Sequence, residues 1–133
     1  MINPNKYIRK AIKEAIGASY KVYDTRVPNS NTEKLYCILS TQSKDYVNPT
    51  KCGFRWDAEI LLDLVCIYPS KGNTGSRVAV DDMENDISNS LQNITIPNFT
   101  IISQSFSYPS NLDNIGDTQI VYRNFIRISY TLE

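Results

Sequence analysis

Asp57, Glu59 and Asp63 fall at odd positions of one extended run, and Arg123 and Arg127 share the parity of another. Side chains two apart in a strand point to the same face, so each set is presented together. Carboxylates gathered in this way can serve as general acid and base. They can equally pair across a sheet with the arginines if the two runs are neighbours. Such surface pairs contribute little to stability. The functional form of the same pattern is a face that meets another subunit, where the charges set register and partner choice.

A second acidic group, Asp81, Asp82, Glu84 and Asp86, lies near the start of a helical pattern. Negative charge there suits the helix dipole. The spacing is not that of a calcium loop, so a solvated helix face is expected. The chain has no histidine, which removes Ser–His and Cys–His nucleophile pairs and the commonest metal ligand. Cys37, Cys52 and Cys66 form no CxxC pair, and their odd number and wide spacing argue against a disulfide framework. Cys37 and Cys66 sit in apolar patterns and read as buried, while Cys52, in an expected loop, is the candidate reactive thiol. Gly72-Asn73-Thr74-Gly75-Ser76 leads into a helix, as an anion site would. It lacks the phosphate-loop lysine, and the following acids oppose an anion, so a plain connecting loop is expected. No catalytic, cofactor-binding or metal-binding residue is assigned, and the chain is read as no enzyme.

Length and charge bound the rest. The 133 residues fit a single domain spanning 1–133. Fourteen basic residues balance fourteen acidic ones, so there is no electrostatic case for specific nucleic-acid binding. Lys6, Arg9, Lys10 and Lys13 read as a solvated helix face. Neither a signal peptide nor a membrane span is expected, and the cysteine usage fits a reducing cytoplasm. Nine tyrosines suit half-buried sheet surfaces and interfaces.

The elements that must position these groups follow from periodicity. Asn3 caps and Pro4 opens a helix over Pro4–Ile16, whose Tyr7, Ile8, Ala11, Ile12, Ala15 and Ile16 line one face before Gly17 stops it. Tyr20–Tyr23 reads as extended, Thr25–Thr32 as a loop, Leu35–Thr41 as a strand and Lys44–Gly53 as a turn or loop tip. Phe54–Tyr68 is a long strand whose last part is apolar on both faces, as in a covered central strand. After a loop at Pro69–Gly75, a helix beginning at Ser76 or a neighbour places Val80, Met83, Ile87 and Leu91 on one side. Phe99–Tyr108 alternates, and Pro109–Asp117 reads as a loop. Gln119–Leu132 is the clearest strand: Ile120, Tyr122, Ile126, Ile128, Tyr130 and Leu132 share one face, broken only by Asn124. It would span about 40 Å, and its edge is expected to be free to pair with another chain. The economical arrangement is an α+β fold, a mostly antiparallel twisted sheet of about four or five strands with two helices packed on one face.

This layout resembles the phage tail-terminator or tail-completion (neck) proteins over nearly the whole chain. The resemblance is carried by the helix Pro4–Ile16 and the proline loop Tyr23-Asp24-Thr25-Arg26-Val27-Pro28. It continues in the long strand Glu59-Ile60-Leu61-Leu62-Asp63-Leu64-Val65-Cys66-Ile67-Tyr68 and the helix ending Ile87-Ser88-Asn89-Ser90-Leu91. It closes with the strand Val121-Tyr122-Arg123-Asn124-Phe125-Ile126-Arg127-Ile128. These are patterns of residue type, and the loops Thr25–Thr32, Lys44–Gly53 and Pro109–Asp117 carry no family signature.

The resemblance implies a non-catalytic virion protein that joins head to tail into a closed ring, a hexamer or dodecamer. It implies neighbouring portal, connector or tail proteins as partners, DNA passing through the ring without specific binding, and no membrane. Assembly would occur in the bacterial host cytoplasm. A closed heterologous ring needs two different complementary surfaces. Arg123, Phe125 and Arg127 on the strand, and Asp81, Asp82, Glu84 and Asp86 on the helix, are the expected pair. The competing expectations are a small cytoplasmic α+β module that binds a ligand or protein, and carboxylate catalysis at Asp57, Glu59 and Asp63.

Overall fold

The computed structural model describes residues 2–28, 30, 32–50, 53–69 and 76–133; side chains are described for these except 48–50, 53 and 54. Cys52 and the glycines of the Gly72–Ser76 loop lie outside the described residues.

The first helix, α1, runs Pro4–Ile16, as its periodicity predicts. Asn3 Oδ1 accepts the Asn5 N–H at 3.0 Å, satisfying one of the amides that a helix start leaves unpaired. Ile8, Ala11, Ile12 and Ile16 form its buried face. At the far end Gly17 N donates to Lys13 O at 2.8 Å. A Cβ on Gly17 would stand 2.6 Å from that carbonyl oxygen, so the glycine is required by close approach. The second helix, α2, runs Val78–Leu91 and buries Val80, Met83, Ile87, Ser88 and Leu91. Ser76 Oγ accepts the Val78 N–H at 3.2 Å at its start.

Among the described residues six strands form one sheet: β1 (Lys21–Asp24), β2 (Leu35–Thr50), β3 (Gly53–Pro69), β4 (Ile101–Ser107), β5 (Leu112–Ile115) and β6 (Gln119–Leu132). The order is β1-β2-β3-β6-β4, with β5 also paired to β6. β1 lies parallel to β2, and every other pairing is antiparallel. The α+β class and the mostly antiparallel sheet are as expected from the sequence, with more strands. The helices and one sheet face enclose a single core, in which Ile8, Ile60, Leu62, Leu64, Met83, Ile87, Ile126 and Ile128 are fully buried. Tyr36, Val65 and Val121 form a second, smaller cluster on the other face, with Tyr23, Val27, Ile38 and Ile67 packed against it. That cluster explains why the end of β3 is apolar on both sides.

Three expectations change. Lys44–Thr50 is strand, not loop: β2 continues through Lys44↔Ala58 and Tyr46↔Trp56 to Thr50↔Gly53. Lys44, Asp45 and Tyr46 are all exposed, so neither face imposes an alternation there, and backbone pairing with β3 holds the shape. The Pro109–Asp117 segment contains β5, whose four residues are all exposed and so leave no periodic signal. The final strand is interior, not an edge. β3 pairs with it from Gln119 to Leu132, while β5 and β4 cover Ile120–Arg123 and Arg127–Leu132 on its other side.

Candidate assembly surfaces

The uncovered sheet face carries the charges singled out by strand parity. β3 and β6 are neighbours, with Val65 opposite Arg123, Asp63 opposite Phe125 and Leu61 opposite Arg127. Each arginine therefore reaches diagonally: Arg123 Nη1 lies 2.6 Å from Asp63 Oδ2, and Arg127 Nε 3.1 Å from Glu59 Oε1. Thr131 Oγ1 donates to Asp57 Oδ1 at 3.3 Å. The carboxylates considered for acid–base work, Asp57, Glu59 and Asp63, are each engaged by a separate partner. Phe125 sits half-buried between the two arginines.

Asp63 is the inner member of this row. Its Oδ1 has no hydrogen-bond partner, and burial raises its carboxyl above the ordinary value while the Arg123 charge pulls it down. Two polar rows cross the same face, Asp45–Asp57–Thr131–Ser103 and Ser43–Glu59–Ser129–Ser105. They line an open depression of about 310 Å³. It is shallow and polar, unlike the enclosed apolar clefts that hold small ligands. Among the described residues no group of histidine, cysteine or carboxylate side chains is arranged to hold a metal ion. Cys37 and Cys66 are buried free thiols, and burial pushes the Cys37 thiol up.

The acidic helix residues divide. Asp81 Oδ1 accepts from Asn124 Nδ2 at 2.8 Å. Asp86 accepts from the Tyr20 hydroxyl, whose pKa is pushed up to about 12 by burial and by that carboxylate. These two acids fasten α2 to β6 and to the turn after α1. Asp82 is exposed, and Glu84 is half-buried. Burial and the neighbouring Asp81 raise the Glu84 carboxyl, against the pull of Arg77. The acids on α2 and the arginines on β6 lie on opposite sides of the sheet, so the fold does not bring the two sets together within one subunit.

Asn124 and Arg77 make a network that sequence reasoning missed. Asn124 is 1% exposed in the middle of the apolar stripe of β6. Its carbonyl accepts from Arg77, which also pairs with Asp113 on β5 and lies over the Tyr122 ring at 5.3 Å. One polar residue in an otherwise apolar stripe was the available signal.

The edges of the sheet are covered unevenly. β1 pairs with β2 only from Tyr36 to Leu39. Beyond it Arg9 takes over, donating to Leu39 O at 3.1 Å and Ser40 O at 2.8 Å, with Asp24 and the Gln42 side chain completing its partners. Ile102, Tyr46, Leu112, Ile115 and Val78 are large apolar side chains exposed near edges or helix ends. Among the described residues no helix is long and apolar enough to cross a membrane.

No protein-family model matches the sequence, and no curated protein matches it. Among solved structures, the chain is similar to one from "Virion of native gene transfer agent (GTA) particle", with a TM-score of 0.59 at 12% identity. The match covers 95% of this chain and 90% of that one. At this identity the likeness shows a shared fold, extending over essentially all of both chains.

Proposed function

We propose that this chain is a structural subunit of a phage-like virion that assembles with copies of itself into a closed ring at the tail or the head–tail neck. The observation that carries the reading is the end-to-end likeness in fold to a chain from a gene transfer agent virion. The described site chemistry is consistent with it: the carboxylates of the open face are each engaged by a separate partner, and the depression beside them is shallow.

Within this reading Arg123, Phe125 and Arg127 on the open face, and Asp81, Asp82, Glu84 and Asp86 on α2, belong to surfaces that meet other subunits of the particle. Their present partners rank them. Asp81 and Asp86 already hold α2 in place, so exposed Asp82 is the acid most available to a neighbour. Arg123 and Arg127 are matched by Asp63 and Glu59, so Phe125 and the paired charges as a patterned surface face outward together.

Quantitative mass spectrometry of density-purified particles from the producing cells tests membership. The expected result is this chain at a fixed low copy number per particle, in the ratio of one hexamer or dodecamer. Its absence from particles that contain the other head and tail proteins would overturn the proposal.

A further inference from the structure

We infer that copies of this chain join through the open part of the β2 edge and the outer edge of β4, so that the sheet of one copy continues into the next. This rests on the ring reading above and goes beyond it by naming the joint. The first observation is selective coverage. One part of the β2 edge is occupied by β1 from Tyr36 to Leu39, and the next carbonyls, Leu39 and Ser40, are taken by Arg9. From Gln42 to Val47, β2 is paired to β3 and to no other strand among the described residues. At the opposite end of the sheet β4 is likewise paired only to β6.

The two open edges are level. Following the register across the sheet, Lys44 faces Ala58, Ala58 faces Tyr130, and Tyr130 faces Gln104. In the same way Gln42 lies on the row of Ile60, Ile128 and Phe106, and Asp45 on the row of Asp57, Thr131 and Ser103. The regular part of β2 is interrupted between Leu39 and Gln42, and that of β4 between Ile101 and Ser103. The regular stretches that remain, Gln42–Asp45 and Ser103–Phe106, occupy the same rows.

Direction agrees as well. β2 to β3, β3 to β6 and β6 to β4 are all antiparallel, so β4 runs opposite to β2. A second copy placed in the same orientation beside the first then presents β2 to β4 as an antiparallel pair, with backbone groups able to exchange hydrogen bonds. Because the edges are level, rotation alone brings them together. A head-to-tail contact without a rise along the axis closes into a ring when its rotation divides a full turn.

Edge chemistry is permissive. Ile101–Ser107 contains neither a charge nor a proline, the two devices by which exposed edges commonly avoid pairing. On the β2 side Lys44 and Asp45 point to opposite faces, out of the plane of the joint. Tyr46 and Ile102, both exposed apolar residues, stand at the same end of the two edges.

The test uses the full chain with Cys52→Ser, leaving only the buried Cys37 and Cys66. Ser43→Cys and Ser105→Cys are introduced together; both serines share one row and are exposed. Mild oxidation should give a ladder of disulfide-linked copies ending at the ring, whereas mixing the two single variants should give dimers only. Native mass of the unoxidised sample reports ring formation independently. A ring by mass without the ladder would overturn the joint and leave the ring reading standing. A chain that is monomeric by mass would overturn both.

A charge swap gives a second readout that needs no thiol. Ser43→Lys with Ser105→Lys should raise the concentration required for assembly by about tenfold or more, and Ser43→Glu with Ser105→Lys should restore it. Equal assembly of the two pairs would contradict the joint.

Discussion

At the scale of single residues, the most informative side chain is the one that breaks a pattern. Asn124 is buried in the apolar stripe of β6 because it joins Arg77 to Asp81. Removing one member of a buried hydrogen-bonded set costs about 1–3 kcal/mol. Asn124→Ala should therefore lower the unfolding free energy in urea by roughly that amount. Hydrogen exchange should also quicken in the first turn of α2 more than in α1, which a general packing defect would not produce.

Asp63 makes a prediction in pH. Its carboxyl is raised in the fold by burial, with Arg123 opposing. A carboxyl that holds its proton more tightly when folded favours folding below its ordinary value, and that contribution is lost as pH rises through the folded value. Asp63→Asn has no such ionisation, so its stability relative to the parent should rise as the pH climbs above the ordinary carboxyl value of about 3.9. Urea titrations of both proteins at several pH values check this. A relative stability that falls with pH would mean that the Arg123 pair outweighs burial.

At the scale of elements, coverage of the sheet edges is the organising fact. Arg9 on α1 satisfies two β2 carbonyls where β1 ends. Arg9→Met keeps the apolar stem but removes the donors, and should cost about 1–2 kcal/mol. The uncovered carbonyls should also broaden self-association beyond one closed species, seen as heavier, polydisperse material in sedimentation.

How far the elements could be read from sequence follows the same logic. α1 and β6 have the bounds expected of them because each buries one regular face against the core, and Asn3 and Gly17 mark the helix ends. The second half of β2 and all of β5 read as loop because backbone pairing holds their shape, while Lys44, Asp45, Tyr46 and the four β5 residues are exposed and leave no periodic signal. The ion pairs of Arg123 and Arg127 were legible from parity once β3 and β6 were taken as neighbours. The Arg77–Asn124–Asp81 network was not, because it depends on where α2 crosses the sheet. The interior position of β6 was missed because alternation reports a buried face and says nothing about the edges.

At the scale of the whole molecule, a sheet with one face closed by helices, one polar face open and two level free edges is suited to repetition. Each edge alone is a liability for uncontrolled pairing, while a closed array occupies both. The joint proposed here would carry the two polar rows of Ser43–Ser105 and Asp45–Ser103 continuously around the ring. It would leave α2, with Asp82 exposed, on the opposite surface for other components of the particle.

Native mass spectrometry of the purified full chain over rising concentration reads closure of the ring without any substitution or label. The expected result is a single closed oligomer at six or twelve times the 15.1 kDa chain mass, with no continuous series of larger species. A chain that remains monomeric throughout, or grows into an open-ended series, would contradict it.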